Sequence, residues 1–118
     1  MRIIPGLAIA AAAAAAIAAC GGSSTAPSQD CGSSGAAANV SATSSPGFSS
    51  DHVTISAGQS VCWKNTSNLD HTVTSDAAGL FDQALNQGMI FVHTFPTAGT
   101  FTYHCRIHAG MTGTVTVQ

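Results

Sequence analysis

An all-β fold is predicted for residues 38–118, a Greek-key β-sandwich of about seven short strands. Two observations predict it. Short runs of β-branched and aromatic residues are punctuated by Gly, Pro, Ser and Asn, and no stretch sustains an apolar period of 3.6 residues. Within several runs, apolar and polar side chains alternate, the period of a strand with one buried face. Short strands with frequent turn signals suit two packed sheets.

Strands are expected near 38–43, 51–56, 60–65, 71–75, 89–95, 99–105 and 112–118. Ala38–Thr43 and the Val53-Thr-Ile55 run open the body. In 60–65, Val61 and Trp63 point inward while Cys62 and Lys64 point outward. The next run is His71-Thr-Val-Thr74. Segment 76–88 reads as an irregular connection with one helical turn around Asp82-Gln83-Ala84-Leu85. In 91–95, Phe91, His93 and Phe95 share a face, which makes His93 a partly buried structural residue with a hydrogen-bond partner. In 100–105, Phe101, Tyr103 and Cys105 share the core face. Cys105 therefore enters the interior at the strand's end, where a thiolate is dry and rigidly held. Gly113-Thr-Val-Thr-Val117 closes the fold.

The chemistry lies just before that last strand. Cys105, His108 and Met111 form a C-x2-H-x2-M loop, and His71 stands at the start of an upstream strand. One thiolate, two imidazoles and one thioether are the trigonal His2Cys set with a weak axial Met that suits copper. Alone, the loop is also compatible with chance or with half of a zinc site. Zinc rarely takes a thioether, and outside residues 104–111 no second Cys-x2-Cys or His-x3-His pair exists to complete a tetrahedral set. His52, after Asp51, reads as a solvent residue. His104 precedes Cys105 and is a minor candidate for a second metal, but Arg106 follows where a His-Cys-His run would continue.

Residues 53–117 resemble the cupredoxins of the plastocyanin/amicyanin type. Val53-Thr-Ile-Ser-Ala-Gly58 is similar to the family's second strand and turn, and Ser60-Val-Cys-Trp-Lys-Asn65 to its V-x-W-x-N strand. Asp70-His-Thr-Val73 resembles the segment of the first copper ligand. Gly99-Thr-Phe-Thr-Tyr-His-Cys105 resembles the strand leading into the ligand loop, whose two-residue gaps match the short amicyanin type. The resemblance implies a cupredoxin-like sandwich and a single type 1 (blue) copper per chain, held by His71, Cys105, His108 and Met111. It implies one-electron transfer by Cu(I)/Cu(II), with the His108 edge as the electron exit. Thr72 stands where the family usually has Asn, so the hydrogen bond supplied there must come from a hydroxyl or be absent.

The N-terminal residues carry a different message. Arg2 precedes an uncharged Ile/Leu/Ala run ending Ile17-Ala-Ala-Cys20. A basic start, an apolar stretch and small residues before the cut describe an export signal over 1–19. The run is short and mostly Ala for a membrane-spanning helix. Its ending resembles a bacterial lipobox, with Cys20 as the lipidated first residue of the mature chain; simple secretion is the alternative. Residues 20–37 are rich in Gly, Ser, Ala and Thr and read as a flexible tether spanning about 20–25 Å over ~16 residues. With Cys20 assigned to lipid and Cys105 to copper, Cys31 and Cys62 remain. In an oxidising compartment they are expected to pair; two free thiols are the alternative.

Charged residues make up 7% of the 118 positions, which argues against nucleic-acid binding and strong electrostatic steering. After Arg2 is removed, Lys64 and Arg106 face Asp30, Asp51, Asp70, Asp76 and Asp82, a mildly acidic balance. The resemblance, with one copper site and no second one, implies an electron carrier rather than an enzyme. The expected protein is exported, lipid-anchored on the periplasmic or extracytoplasmic face, monomeric, and met transiently by a redox donor and acceptor. A copper carrier or buffer without redox turnover is the rival, and part of a copper enzyme a weaker one. Met-rich tracts, which a carrier would favour, are absent, with Met89 and Met111 the only methionines after Met1.

Overall fold

The computed structural model describes residues 30–118. The expected signal segment 1–19, the lipid site Cys20 and most of the tether lie outside the described residues. Among the described residues, nine strands form two sheets: β1 (Ala38–Thr43), β2 (Gly47–Phe48), β3 (His52–Ile55), β4 (Ser60–Asn65), β5 (His71–Ser75), β6 (Asp82–Leu85), β7 (Ile90–Thr94), β8 (Gly99–His104) and β9 (Thr112–Val117). One sheet runs β2-β1-β4-β7 and the other β3-β9-β8-β5-β6. A 3-10 turn, Cys31–Ser33, precedes β1. The architecture is an all-β sandwich of two sheets.

Seven strands stand where the apolar runs place them, and two more than expected are present. β2 is only two residues long, too short to leave a pattern. β6 corrects the expected helical turn at 82–85. Asp82-Gln-Ala-Leu85 is poor in strand formers, but β5 offers it a full antiparallel ladder, from His71↔Leu85 to Thr74↔Asp82. Strand preference is decided by such pairing and burial more than by the residues' own propensity.

The two inner faces meet over Val40, Val61, Trp63, Val73, Leu85, Phe95, Tyr103 and Val115, all at most 1% exposed. Trp63 stacks on Phe91 with centroids 5.6 Å apart and meets Tyr103 edge-on at 5.2 Å. Tyr103 lies opposite Gly113 in the β8–β9 ladder. A Cβ at Gly113 would overlap the Tyr103 phenol ring, so the close approach of ring to backbone requires glycine there. Burial pushes the Tyr103 phenol up to about 12, although the Trp63 N–H opposes the shift. Neither the Tyr103 hydroxyl nor Trp63 Nε1 has a well-formed hydrogen bond among the described residues.

Cys62 alternates with inward Val61 and Trp63, yet it is fully buried. The reason is a disulfide to Cys31, whose Cα lies 5.7 Å away and which lays the 3-10 turn over β4. His93 corrects a second expectation. Among the described residues its ring packs against Phe81, Phe91 and Phe95 instead of a hydrogen-bond partner. Burial lowers its pKa below the ordinary imidazole value. His52 is exposed beside Asp51, 3.2 Å away.

Candidate metal centre

Strand register brings the site together. β8 and β9 pair antiparallel from Gly99↔Val117 to His104↔Thr112. One further step sets Cys105 opposite Met111, and the Cys105 N–H does donate to the Met111 carbonyl at 2.9 Å. Residues 106–110 are thus the turn of a hairpin, tightened by Met111 N–H to His108 O at 3.3 Å. β5 lies antiparallel on the other side of β8, with Thr74↔His104. Its first residue, His71, therefore projects past the end of β8 to the level of the turn.

The donor atoms of His71, Cys105 and His108 lie within 4.8 Å of one another. Cys105 Sγ is 3.9 Å from His71 Nδ1 and 3.5 Å from His108 Nδ1. A metal about 2.3 Å from sulfur and ~2.0 Å from nitrogen, zinc bond lengths serving as the yardstick, needs a sulfur–nitrogen separation of about 3.7 Å at trigonal angles. The two observed values bracket it. Met111 is buried at 1% exposure at the base of the turn, so all four expected ligands gather at one end of the sandwich. The thiolate suits copper and zinc alike, and it is the thioether that favours copper.

His71 is fully buried and oriented from behind. Its Nε2 lies 3.0 Å from Ser67 Oγ. The Ser67 hydroxyl donates to Asn65 Oδ1 at 2.7 Å, which leaves its oxygen to accept from Nε2–H. That bond selects the tautomer with a free lone pair on Nδ1, the nitrogen facing Cys105. Asn65 in turn donates to Leu69 O at 2.6 Å and Leu85 O at 2.8 Å, bracing the 65–71 loop against β6. Burial first, and the neighbouring His108 second, hold the His71 pKa below its ordinary value, which favours the neutral ligand form.

Cys105 Sγ also accepts the Thr72 backbone N–H at 3.4 Å. The Thr72 hydroxyl accepts the Arg106 N–H at 2.8 Å, so a hydroxyl supplies the hydrogen bond at the position where Asn was expected. His104 points away from the centre and pairs with Asp76 at 2.5 Å, with no second metal cluster among the described residues. Asn65 and Ser67 escaped the sequence reading as site residues. Asn65 closes the V-x-W-x-N run, but nothing local shows that its amide reaches Ser67 and so His71.

A sandwich holding two imidazoles, a thiolate and a thioether at one end defines a cupredoxin with a type 1 copper centre. The profile of copper binding proteins of the plastocyanin/azurin family matches residues 36–118, and the chain belongs to that family. Plastocyanin of Scenedesmus fuscus is 37% identical over 84 residues, spanning 60% of this chain and 86% of that protein. Chloroplastic plastocyanin of Tetradesmus obliquus is 38% identical over 79 residues, spanning 56% of this chain and 54% of that protein. Among solved structures, a purple cupredoxin from Nitrosopumilus maritimus superposes with a TM-score of 0.63 at 26% identity, covering 69% of this chain and 99% of that one. A reduced amicyanin mutant gives 0.64 at 26% identity, covering 71% and 83%.

Proposed function

We propose that this chain is a one-electron carrier outside the cytoplasm, tethered to a membrane through Cys20. The observation that carries the electron-transfer reading is the convergence of the His71, Cys105 and His108 donor atoms on a buried end of a rigid sandwich. Copper bound there supplies a Cu(I)/Cu(II) couple. The protein's part is to keep the donors in one arrangement for both oxidation states. Ser67 holds His71, the Thr72 N–H holds the thiolate, and the β8–β9 ladder holds Cys105 against Met111. A site that barely moves on electron gain or loss exchanges electrons quickly.

His108 is the half-buried ligand, flanked by exposed Ile107, Ala109 and Gly110. Its ring edge is the proposed exit for electrons, within a small apolar surface where redox partners dock. Such encounters bury little area. The Cys31–Cys62 disulfide supports an oxidising, exported location. The Ile17-Ala-Ala-Cys20 run supports lipidation, and mass spectrometry of the mature N-terminus tests it. A terminus beyond Cys20, or an unmodified Cys20, would sink the anchor.

Absorption and EPR spectra of the Cu(II)-loaded protein test the centre. An intense thiolate-to-Cu(II) band, lost in Cys105→Ser, is expected. Reversible voltammetry separates a carrier of electrons from a carrier of copper. A Cys105→Ser protein that stays blue would remove the assignment.

A further inference from the structure

One cluster beside the centre is left unexplained by ligation. Thr72, Thr74, Asp82 and the backbone and side chain of Arg106 form a closed ring of hydrogen bonds. We propose that Asp82 is a positioning residue for the copper-ligand loop, holding the backbone after Cys105 through Thr74 and Thr72 on one side and through the Arg106 guanidinium on the other. The inference rests on the copper reading above and adds to it a residue that touches no ligand.

The direction of every bond follows from the acid. An ionised carboxylate only accepts. Thr74 Oγ1, 2.9 Å from Asp82 Oδ1, must therefore donate to it. With that proton committed, Thr74 Oγ1 accepts in its 3.0 Å contact with Thr72 Oγ1, so Thr72 is the donor there. The Thr72 oxygen is left with its lone pairs, which meet the Arg106 N–H at 2.8 Å. Arg106 Nε donates to the same Asp82 Oδ1 at 3.0 Å and closes the ring. The hydrogen bonds from Thr74 and then Arg106 hold the Asp82 carboxyl below the ordinary carboxylate range, so it is ionised at neutral pH.

Burial decides which side of the ring matters more. Asp82 and Arg106 are about half exposed, and an exposed ion pair contributes little alone. Thr72 is 3% and Thr74 9% exposed, so their hydroxyls need partners within the protein. Hydroxyls polarised in series strengthen one another. The chain ends where it can act on the centre. Arg106 N is the amide immediately after Cys105, and the Thr72 N–H itself donates to Cys105 Sγ. A shift of either residue moves the thiolate.

Asp82→Ala, Asp82→Asn and Thr74→Val test this. Amide hydrogen exchange at Arg106 is read by NMR in the copper-free protein, and the thiolate-to-Cu(II) band and copper hyperfine splitting are read after loading. Asp82→Ala and Thr74→Val should speed Arg106 exchange about tenfold, the loss of one hydrogen bond, and shift the band. Asp82→Asn keeps an acceptor for Thr74 and should stay near wild type in both readouts. Any change in reduction potential shared by Asn and Ala reports lost charge; only the excess in Ala reports position. The proposal is overturned if Ala matches wild type, or if Asn is as perturbed as Ala. It is also overturned if amides throughout β5 and β8 accelerate as much as Arg106, which would make the ring a general support of the sheet. Thr74→Val carries the test if Asp82→Ala fails to fold. A wild-type protein that is not blue would end the copper reading, while exchange in the copper-free protein would still decide whether Asp82 holds the loop.

Discussion

His71 is a ligand because of a serine that the ligand pattern does not include. Ser67 takes the Nε2–H and leaves Nδ1 to face the thiolate. Loss of such an outer partner commonly costs about 10–100-fold in metal affinity. Ser67→Ala should therefore weaken Cu(II) binding at least about tenfold in a chelator competition. Unchanged affinity would mean that packing and the Thr43 backbone carbonyl suffice to orient the ring. At Gly113 the constraint is steric. Gly113→Ala forces the buried Tyr103 ring to move and should destabilise by about 1–3 kcal/mol, the usual cost of overpacking, measured by chemical denaturation. Among these residues, Cys105, His108 and Met111 were legible because their spacing is local. Ser67 was not, because its bond to His71, four residues on, depends on how the 65–71 loop folds back; Gly113 was not, because the ring overlap depends on its pairing opposite Tyr103.

Alternation made the inward faces of β4 and β8 readable, with Val61, Trp63 and Tyr103 fully buried as the period-two pattern requires. β6 was misread because its residues lack the β-branched signal and its conformation comes from β5. β7 carried a readable face but a misjudged environment: His93 packs among three phenylalanine rings. Its pKa is lowered by burial, so protonation favours the unfolded chain. As pH falls below the unfolded value of about 6.5, the unfolded state binds the proton first and stability declines, levelling off below the folded pKa. Compared with a His93→Gln variant, the copper-free wild type should lose stability over this window, by denaturant titration at several pH values. His71 is present in both proteins, so its own titration cancels to first order. A difference that does not change with pH would show that His93 titrates as it does in water.

At the scale of the whole molecule, the disulfide joins the segment before β1 to the middle of the first sheet across 31 residues. In the chain-entropy account, closing a loop of that length stabilises by about 3–4 kcal/mol. Cys31→Ser with Cys62→Ala should lower stability by roughly that amount. Its absorption spectrum should not change, because the disulfide sits on β4 and the metal ligands lie on β5 and in the 105–111 segment. A changed copper spectrum would mean that β4 carries the loss to His71 through Asn65 and Ser67.

The sequence by itself determined what is periodic or close along the chain: the all-β class, seven of nine strands, and three ligands in one turn. It also singled out His71, because an imidazole at the start of a strand is conspicuous beside a C-x2-H-x2-M loop. Only the tertiary structure decided that His71 reaches Cys105 from 34 residues away, that Ser67 sets its tautomer, and that Asp82 closes a ring onto Arg106. The Ser67 contact is short-range but needs the 65–71 loop in its folded path. For the other two, side-chain alternation belongs to a single strand and is written in its residues, whereas the register between strands is set by all the strands packing together, and these contacts exist only once β5 lies between β6 and β8.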